Sequence, residues 1–105
     1  MPGLDLNYFV RQANKMTEKI EQRKEELAQE TVEGKSGDNL VVVLANGIQE
    51  IKSIQISPEA LALNDTGMLE DLLVAAVNSA LNASRTHMQA ELGKLTGGMK
   101  IPGLM

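Results

Sequence analysis

The sequence predicts a small α+β domain: a long N-terminal helix, a three-stranded antiparallel sheet, a short helical turn and a long C-terminal helix. Three observations predict it. Residues 39–56 read NLVVVLANGIQEIKSIQI, two strand-like runs broken at Asn46-Gly47, and Asn-Gly supplies the positive φ angles of a type I′ hairpin turn. Long segments before and after this stretch repeat apolar residues at three- and four-residue steps, the period of a helix face. A lone hairpin is only marginally stable in water, so those two helices are expected to cover it.

The composition bounds the rest. A chain of 105 residues is one domain by length. With one Phe, one Tyr and no Trp, its core must come from Leu, Ile, Val, Ala and the six Met. The absence of Cys excludes disulfides, thiol nucleophiles and thiolate metal sites. No apolar run reaches the length of a membrane span and no signal-peptide pattern opens the chain, so a soluble cytoplasmic protein is expected. The formal net charge is −4. Affinity for a polyanion must then come from local segregation of charge.

The first helix is expected from Asp5 to about Glu30, after a frayed start at Met1 to Leu4. Leu6, Phe9, Ala13, Met16, Ile20 and Leu27 share one face, and Asp5 suits the N-cap. At 1.5 Å per residue this helix would span roughly 39 Å, long enough to project beyond a small sheet or pair with another chain. On its polar side Arg11, Lys15, Lys19 and Arg23 stand four apart as a basic ridge. Glu18, Glu21 and Glu25 form an acidic ridge beside it. Like charges at this spacing weaken an isolated helix slightly, so a ridge of one sign points to a partner. Pairing of Lys15 with Glu18 and of Arg23 with Glu26 would instead make an ordinary solvated face.

Thr31-Val32-Glu33 reads as a brief strand, and Gly34 to Asp38 as a glycine-bearing turn. Gly34-Lys35-Ser36 lacks the upstream glycine of a phosphate-binding loop and opens no helix. The apolar run Leu40 to Leu44 predicts a strand covered on both faces. Ile48, Ile51, Ile54 and Ile56 break a strict alternation, which a bulge near Lys52 would reconcile. Ser57-Pro58 is a helix start with Ser as N-cap and Pro at the first helical position. Asn64 to Gly67 is a break.

The second long helix is expected from Met68 to about Leu92, with Gly93 as a candidate C-cap unless Lys94 and Leu95 extend it. Leu69, Leu72, Leu73, Ala76, Val77, Ala80, Leu81 and Ala83 make an apolar arc wider than one small sheet needs. Part of it, centred on Leu69, Leu73, Ala76, Val77 and Ala80, is expected to bury against a second subunit. Residues 1–95 read as a single domain and residues 96–105 as a flexible Gly/Met-rich tail.

No nucleophile, base and orienting group converge on a recognisable motif, so no catalytic residues and no enzyme activity are expected. The sole histidine, His87, lies on the apolar side of its helix. With no Cys and no second His it reads as packed or interfacial rather than as a metal ligand. No metal and no cofactor are expected. Base-stacking aromatics are missing, which weighs against single-strand recognition by stacking.

The element order and several local phrases resemble the YbaB/EbfC family of nucleoid-associated proteins. The matching phrases are Gln12-Ala13-Asn14-Lys15-Met16, Gly34-Lys35-Ser36-Gly37, Asn46-Gly47, Ile56-Ser57-Pro58, Met68-Leu69-Glu70-Asp71-Leu72, Ala75-Ala76-Val77-Asn78 with Ala80, and Gly97-Gly98-Met99 with Pro102-Gly103. Their order covers nearly the whole chain. The resemblance implies a homodimer with projecting helices that binds duplex DNA without enzymatic activity or cofactor, in the nucleoid, and affects nucleoid organisation or gene expression. It places DNA contacts best on Arg11, Lys15, Lys19 and Arg23, with Arg85 on the second helix. Asn78, Asn82 and Gln89 could add polar contacts. Four ridge residues neutralising one phosphate each would give a log–log salt slope of about −3.6 per protomer, with little sequence specificity. The expected partners are duplex DNA, a second copy of the chain, and other nucleoid or DNA-metabolism proteins, with no membrane. The alternative is a protein–protein adaptor that uses its helices and tail without touching DNA.

Overall fold

A computed structural model describes residues 5–97; the expected frayed start at residues 1–4 and the tail from residue 98 onward lie outside the described residues. In chain order the elements are α1 (Leu6–Leu27), β1 (Thr31–Ser36), β2 (Val41–Asn46), β3 (Ile51–Ile56), α2 (Pro58–Ala62) and α3 (Thr66–Leu95). The strands form one antiparallel sheet in the order β1-β2-β3. The molecule is elongated, with principal extents of 74 × 20 × 16 Å.

α3 lies across one face of the sheet, over β1 and β2. Val41, Val43 and Ala45 of β2 are fully buried with Ala76 and Ala80 of α3, and Val32, Leu69, Leu72, Leu73 and Val77 pack around them. The alanines allow this close layer. So does Gly34: a Cβ placed there would lie 2.2 Å from the Ala80 nitrogen and 2.5 Å from the Ala76 oxygen. Gly34 therefore sits inside β1, opposite Val43, and not in the turn expected from its sequence neighbours. The turn comes later, at residues 37–40, where Gly37, Asp38 and Asn39 all hold positive φ angles of 60°, 53° and 72°. Ser36 extends the strand and donates its hydroxyl to the Leu72 carbonyl at 2.7 Å.

β2 is not covered on both faces. Val42 and Leu44 point away from α3 and are only partly buried. The reason is that α1 does not take the second face. It packs instead on the C-terminal half of α3, where Ile20, Leu27 and Leu92 are buried among Met16, Ile48, Met88 and Leu95. The two helices run antiparallel: Glu30 meets His87, Arg23 meets Glu91, and Met16 shares a cluster with Leu95.

Helix ends follow local chemistry. Asp5 caps α1 by accepting from the Asn7 N–H at 3.0 Å, Ser57 caps α2 by accepting from Ala60, and Asp65 caps α3 by accepting from Met68. α1 stops at Leu27, three residues short of the expected Glu30, as the Leu27 carbonyl accepts from the Gly47 and Glu30 amides. α3 starts two residues earlier than expected, absorbs Gly67, and passes Gly93 to end at Leu95 with Thr96 as C-cap.

The β2–β3 connection is a four-residue loop at 47–50 and not a two-residue type I′ turn; its positive φ falls on Gln49 (66°) rather than on Asn46 or Gly47. Tertiary contacts reshape it. The Asn46 side chain accepts from the Ile48 and Glu50 amides, each at 3.0 Å. Gly47 donates to the Leu27 carbonyl at 2.8 Å, and a Cβ there would stand 2.7 Å from that oxygen. From the other side Ser84 of α3, fully buried, donates to the Asn46 carbonyl at 2.7 Å and accepts from the Gln49 amide at 2.8 Å. The bulge falls where expected: Leu44 pairs with Ser53 and Ala45 with Ile51, leaving Lys52 as the extra residue.

Candidate nucleic-acid interface

The N-terminal half of α1 is an arm. Every residue from Asp5 to Lys15 is exposed, since the sheet is too small and α3 too short to reach it. Arg11, Lys15 and Lys19 stand along its solvent side. Among the described residues none of the three enters an ion pair. Lys15 and Glu18 do not pair. Successive members rise about 6 Å along the helix, so the three cations span roughly 12 Å.

Arg23 does not continue this row. Four residues turn a helix by about 400°, so a row stepped by four drifts about 40° around the axis at each step. By the third step the drift has carried Arg23 from the solvent side to the side facing α3. There its guanidinium meets Glu91 of α3, Glu30 at 2.8 Å and Glu26 at 3.1 Å. The hydrogen bonds it donates to Glu91, then to Glu30, raise its pKa further above the ordinary arginine range. Glu91 is also bonded by Lys94, and Lys94 and Arg23 together hold its carboxyl down at about 2. Glu30 is bonded by the His87 ring at 2.7 Å, and His87 followed by Arg23 lowers its pKa. Arg23 is thus saturated with carboxylates, and His87 is a partly exposed partner of Glu30.

Arg85 lies on the outer side of α3 and donates to Asn82 at 2.8 Å. It sits nearer the sheet than the α1 row, because that row begins where α3 ends. Asn78, Asn82 and Gln89 are exposed on the same outer stripe. Among the described residues, no group of three or more His, Asp or Glu is arranged to hold a metal ion. Among the same residues, no helix is long and apolar enough to cross a membrane.

Of the apolar residues picked out on α3, Ala76 and Ala80 are fully buried under the chain's own sheet and have no surface left for a second copy. Leu69, Leu73 and Val77 remain partly exposed. A larger apolar surface lies beside them. Ile54 and Ile56 pair with Val43 and Val41 and so share the helix-side face of the sheet. Yet Ile51, Ile54 and Ile56 are 40%, 46% and 37% exposed, because α3 lies over β1 and β2. Val74 of α3 is 61% exposed. The sequence signal for this strip was one helix set against three strands. Leu6, Tyr8, Phe9 and Val10 at the arm tip form a second exposed apolar group.

Comparison with known proteins places the chain. The pattern of the YbaB/EbfC DNA-binding family matches residues 1–99. A nucleoid-associated protein of Myxococcus xanthus is 67% identical over 104 residues, 99% of each chain. One of Caldanaerobacter subterraneus subsp. tengcongensis is 46% identical over 102 residues, 97% of this chain and 92% of its own. The crystal structure of uncharacterized protein HP0035 from Helicobacter pylori superposes with a TM-score of 0.80, covering 90% of this chain and 99% of that one; at 22% identity the likeness is one of fold. The long helices, three-stranded sheet and short intervening helix are therefore those of a known architecture, and the chain belongs to the YbaB/EbfC DNA-binding family.

Proposed function

We propose that the protein is a non-enzymatic, nucleoid-associated protein that grips duplex DNA with low sequence specificity as a homodimer, in the cytoplasm, and thereby affects nucleoid organisation or gene expression. The observation that carries this is the row Arg11, Lys15 and Lys19, none of them in an ion pair among the described residues, along a helix whose residues 5–15 are all exposed. Cations without carboxylate partners are free to replace the counterions of a polyanion, and such contacts position a protein on the duplex without reading bases. Arg85 would add a contact from the outer side of α3. Arg23 is excluded from the row by its three carboxylates. With three phosphates per protomer, the salt slope becomes about −2.7 per protomer and about −5.4 for a dimer.

A second copy is called for by the uncovered strip Ile51, Ile54 and Ile56, together with the exposed Val74 and the partly exposed Leu73 and Val77 of α3. Burying such a strip is the ordinary driving force of association, and two-fold pairing would carry two cationic arms to one duplex. The decisive experiment is a salt titration of duplex binding by Lys15→Glu/Lys19→Glu. Weakened binding with the dimer intact supports the proposal. Wild-type affinity and slope across the titration would remove the arm from the interface.

The exposed tip residues Leu6, Tyr8, Phe9 and Val10 favour a second reading, an adaptor whose arm docks on another protein of the nucleoid or of DNA metabolism. Recovery of a stoichiometric protein partner after nuclease treatment, with no duplex shift at low salt, would select it.

A further inference from the structure

We infer that Arg23 is a positioning residue: its carboxylate cluster sets the direction in which the α1 arm leaves the body. The inference rests on the arm serving as the DNA grip. The apolar contact between α1 and α3 is small, with Ile20, Leu27 and Leu92 buried and Met16, Met88 and Leu95 around them. Apolar contact is non-directional and methionine repacks readily, so such a patch tolerates rocking and rolling. The arm magnifies that freedom. From Ile20 to Leu6 is roughly 21 Å of helix with, among the described residues, no packed neighbour beyond Met16, so a tilt of about 10° moves the tip by roughly 4 Å.

The ionic cluster supplies the missing direction. The planar guanidinium of Arg23 gives one nitrogen to Glu26 and Glu30 on its own side and the other to Glu91 across the helix pair. A second cross-link, Glu30 to His87, lies one turn along α3 from the first. The two run in opposite senses: α1 offers a cation to α3 at Glu91, and the segment after α1 offers an anion at His87. Two separated links oppose rotation of α1 about its own axis, which one link would not. Lys94 holds the far oxygen of Glu91, so that carboxylate cannot swing away with the arginine. The ionisable groups facing one another are thus Arg23, Glu26 and Glu30 from the α1 side and His87, Glu91 and Lys94 from α3.

The test uses the full chain, which has no native Cys. Spin labels at Asn7→Cys on the arm and Gln55→Cys on the sheet, diluted into unlabelled protein, report the arm direction within one chain and without DNA. Arg23→Met is expected to broaden the distance distribution, and Arg23→Lys to broaden it partly. Duplex affinity should fall roughly fivefold in Arg23→Met, the scale of ordering one loosened segment, with the salt slope unchanged. An unchanged distance distribution in Arg23→Met overturns the inference. So does a salt slope lowered by about 0.9 per protomer in Arg23→Met, since that marks a phosphate ligand. The spin-label result stands apart from DNA binding, so failure of the DNA reading and failure of the positioning role are separable.

Discussion

Gly34 and Ala80 meet backbone to backbone, so close that a methyl on Gly34 would lie 2.2 Å from the Ala80 nitrogen. Sheet and helix have no room for a side chain between them at this point. Gly34→Ala should cost about 3 kcal/mol, because neither backbone can yield without moving a whole element. Gly93→Ala is the matched control. A methyl there meets nothing within 4 Å, and removing a helical glycine should stabilise by up to about 1 kcal/mol. Paired thermal melts read both; equal shifts in one direction would deny the close contact its role.

Ser84 is the only described buried hydroxyl that ties α3 to the hairpin loop, bonding the Asn46 carbonyl and the Gln49 amide. Ser84→Ala leaves both without this partner and should destabilise by about 2 kcal/mol. Hydrogen exchange at Gln49 should accelerate more than exchange at Val43, which lies within the sheet.

The cluster around Arg23 has a pH signature. The Glu91 carboxyl is held down from an ordinary value near 4.5 to about 2 by Lys94 and Arg23, and Glu30 is lowered by His87 and Arg23. A carboxyl depressed in the folded state contributes stability that is complete above its unfolded value and lost as pH falls through its folded value. The contribution of Glu91 should therefore fade between about 4.5 and about 2. Glu91→Gln should flatten that part of the stability curve, and urea melts through this range would show whether it does.

Ile54 is 46% exposed within the single chain yet faces the helix side of the sheet. Ile54→Asp should leave the fold intact and abolish self-association, because a charge buried at an apolar contact is costly. Light scattering measures the mass directly. A dimer of unchanged strength in this variant would exclude the strip as the contact.

Arg11 is nearest the free end of the cationic row. Arg11→Ala should weaken duplex binding about equally for unrelated sequences and lower the salt slope by about 0.9 per protomer. A loss confined to one DNA sequence would instead indicate base reading.

The features legible in the chain were those whose cause lies within a few residues. Asp5, Ser57 and Asp65 precede helices and cap them, and the misfit of the Ile48–Ile56 spacing marks the bulge at Lys52. Such signals depend on backbone donors close in sequence, which any tertiary setting leaves in place. The family and the α+β order were legible too, because several short phrases in fixed order cover most of the chain.

Tertiary structure decided the roles of residues whose partners lie far along the chain. Gly34 and Gly47 look like turn glycines and are points of backbone contact with Ala80 and Leu27. Arg23 looks like the fourth member of a row and is turned by helical drift into the carboxylates of Glu30 and Glu91. Ala76 and Ala80 look free for a partner and are consumed by the chain's own sheet, while the isoleucines of β3 are left uncovered. The sequence by itself determined the order of helices and strands and the apolar side of the two long helices, since periodicity is a local property. Only the packing decided which apolar side meets which, because one helix cannot cover three strands and no local signal says where it will lie.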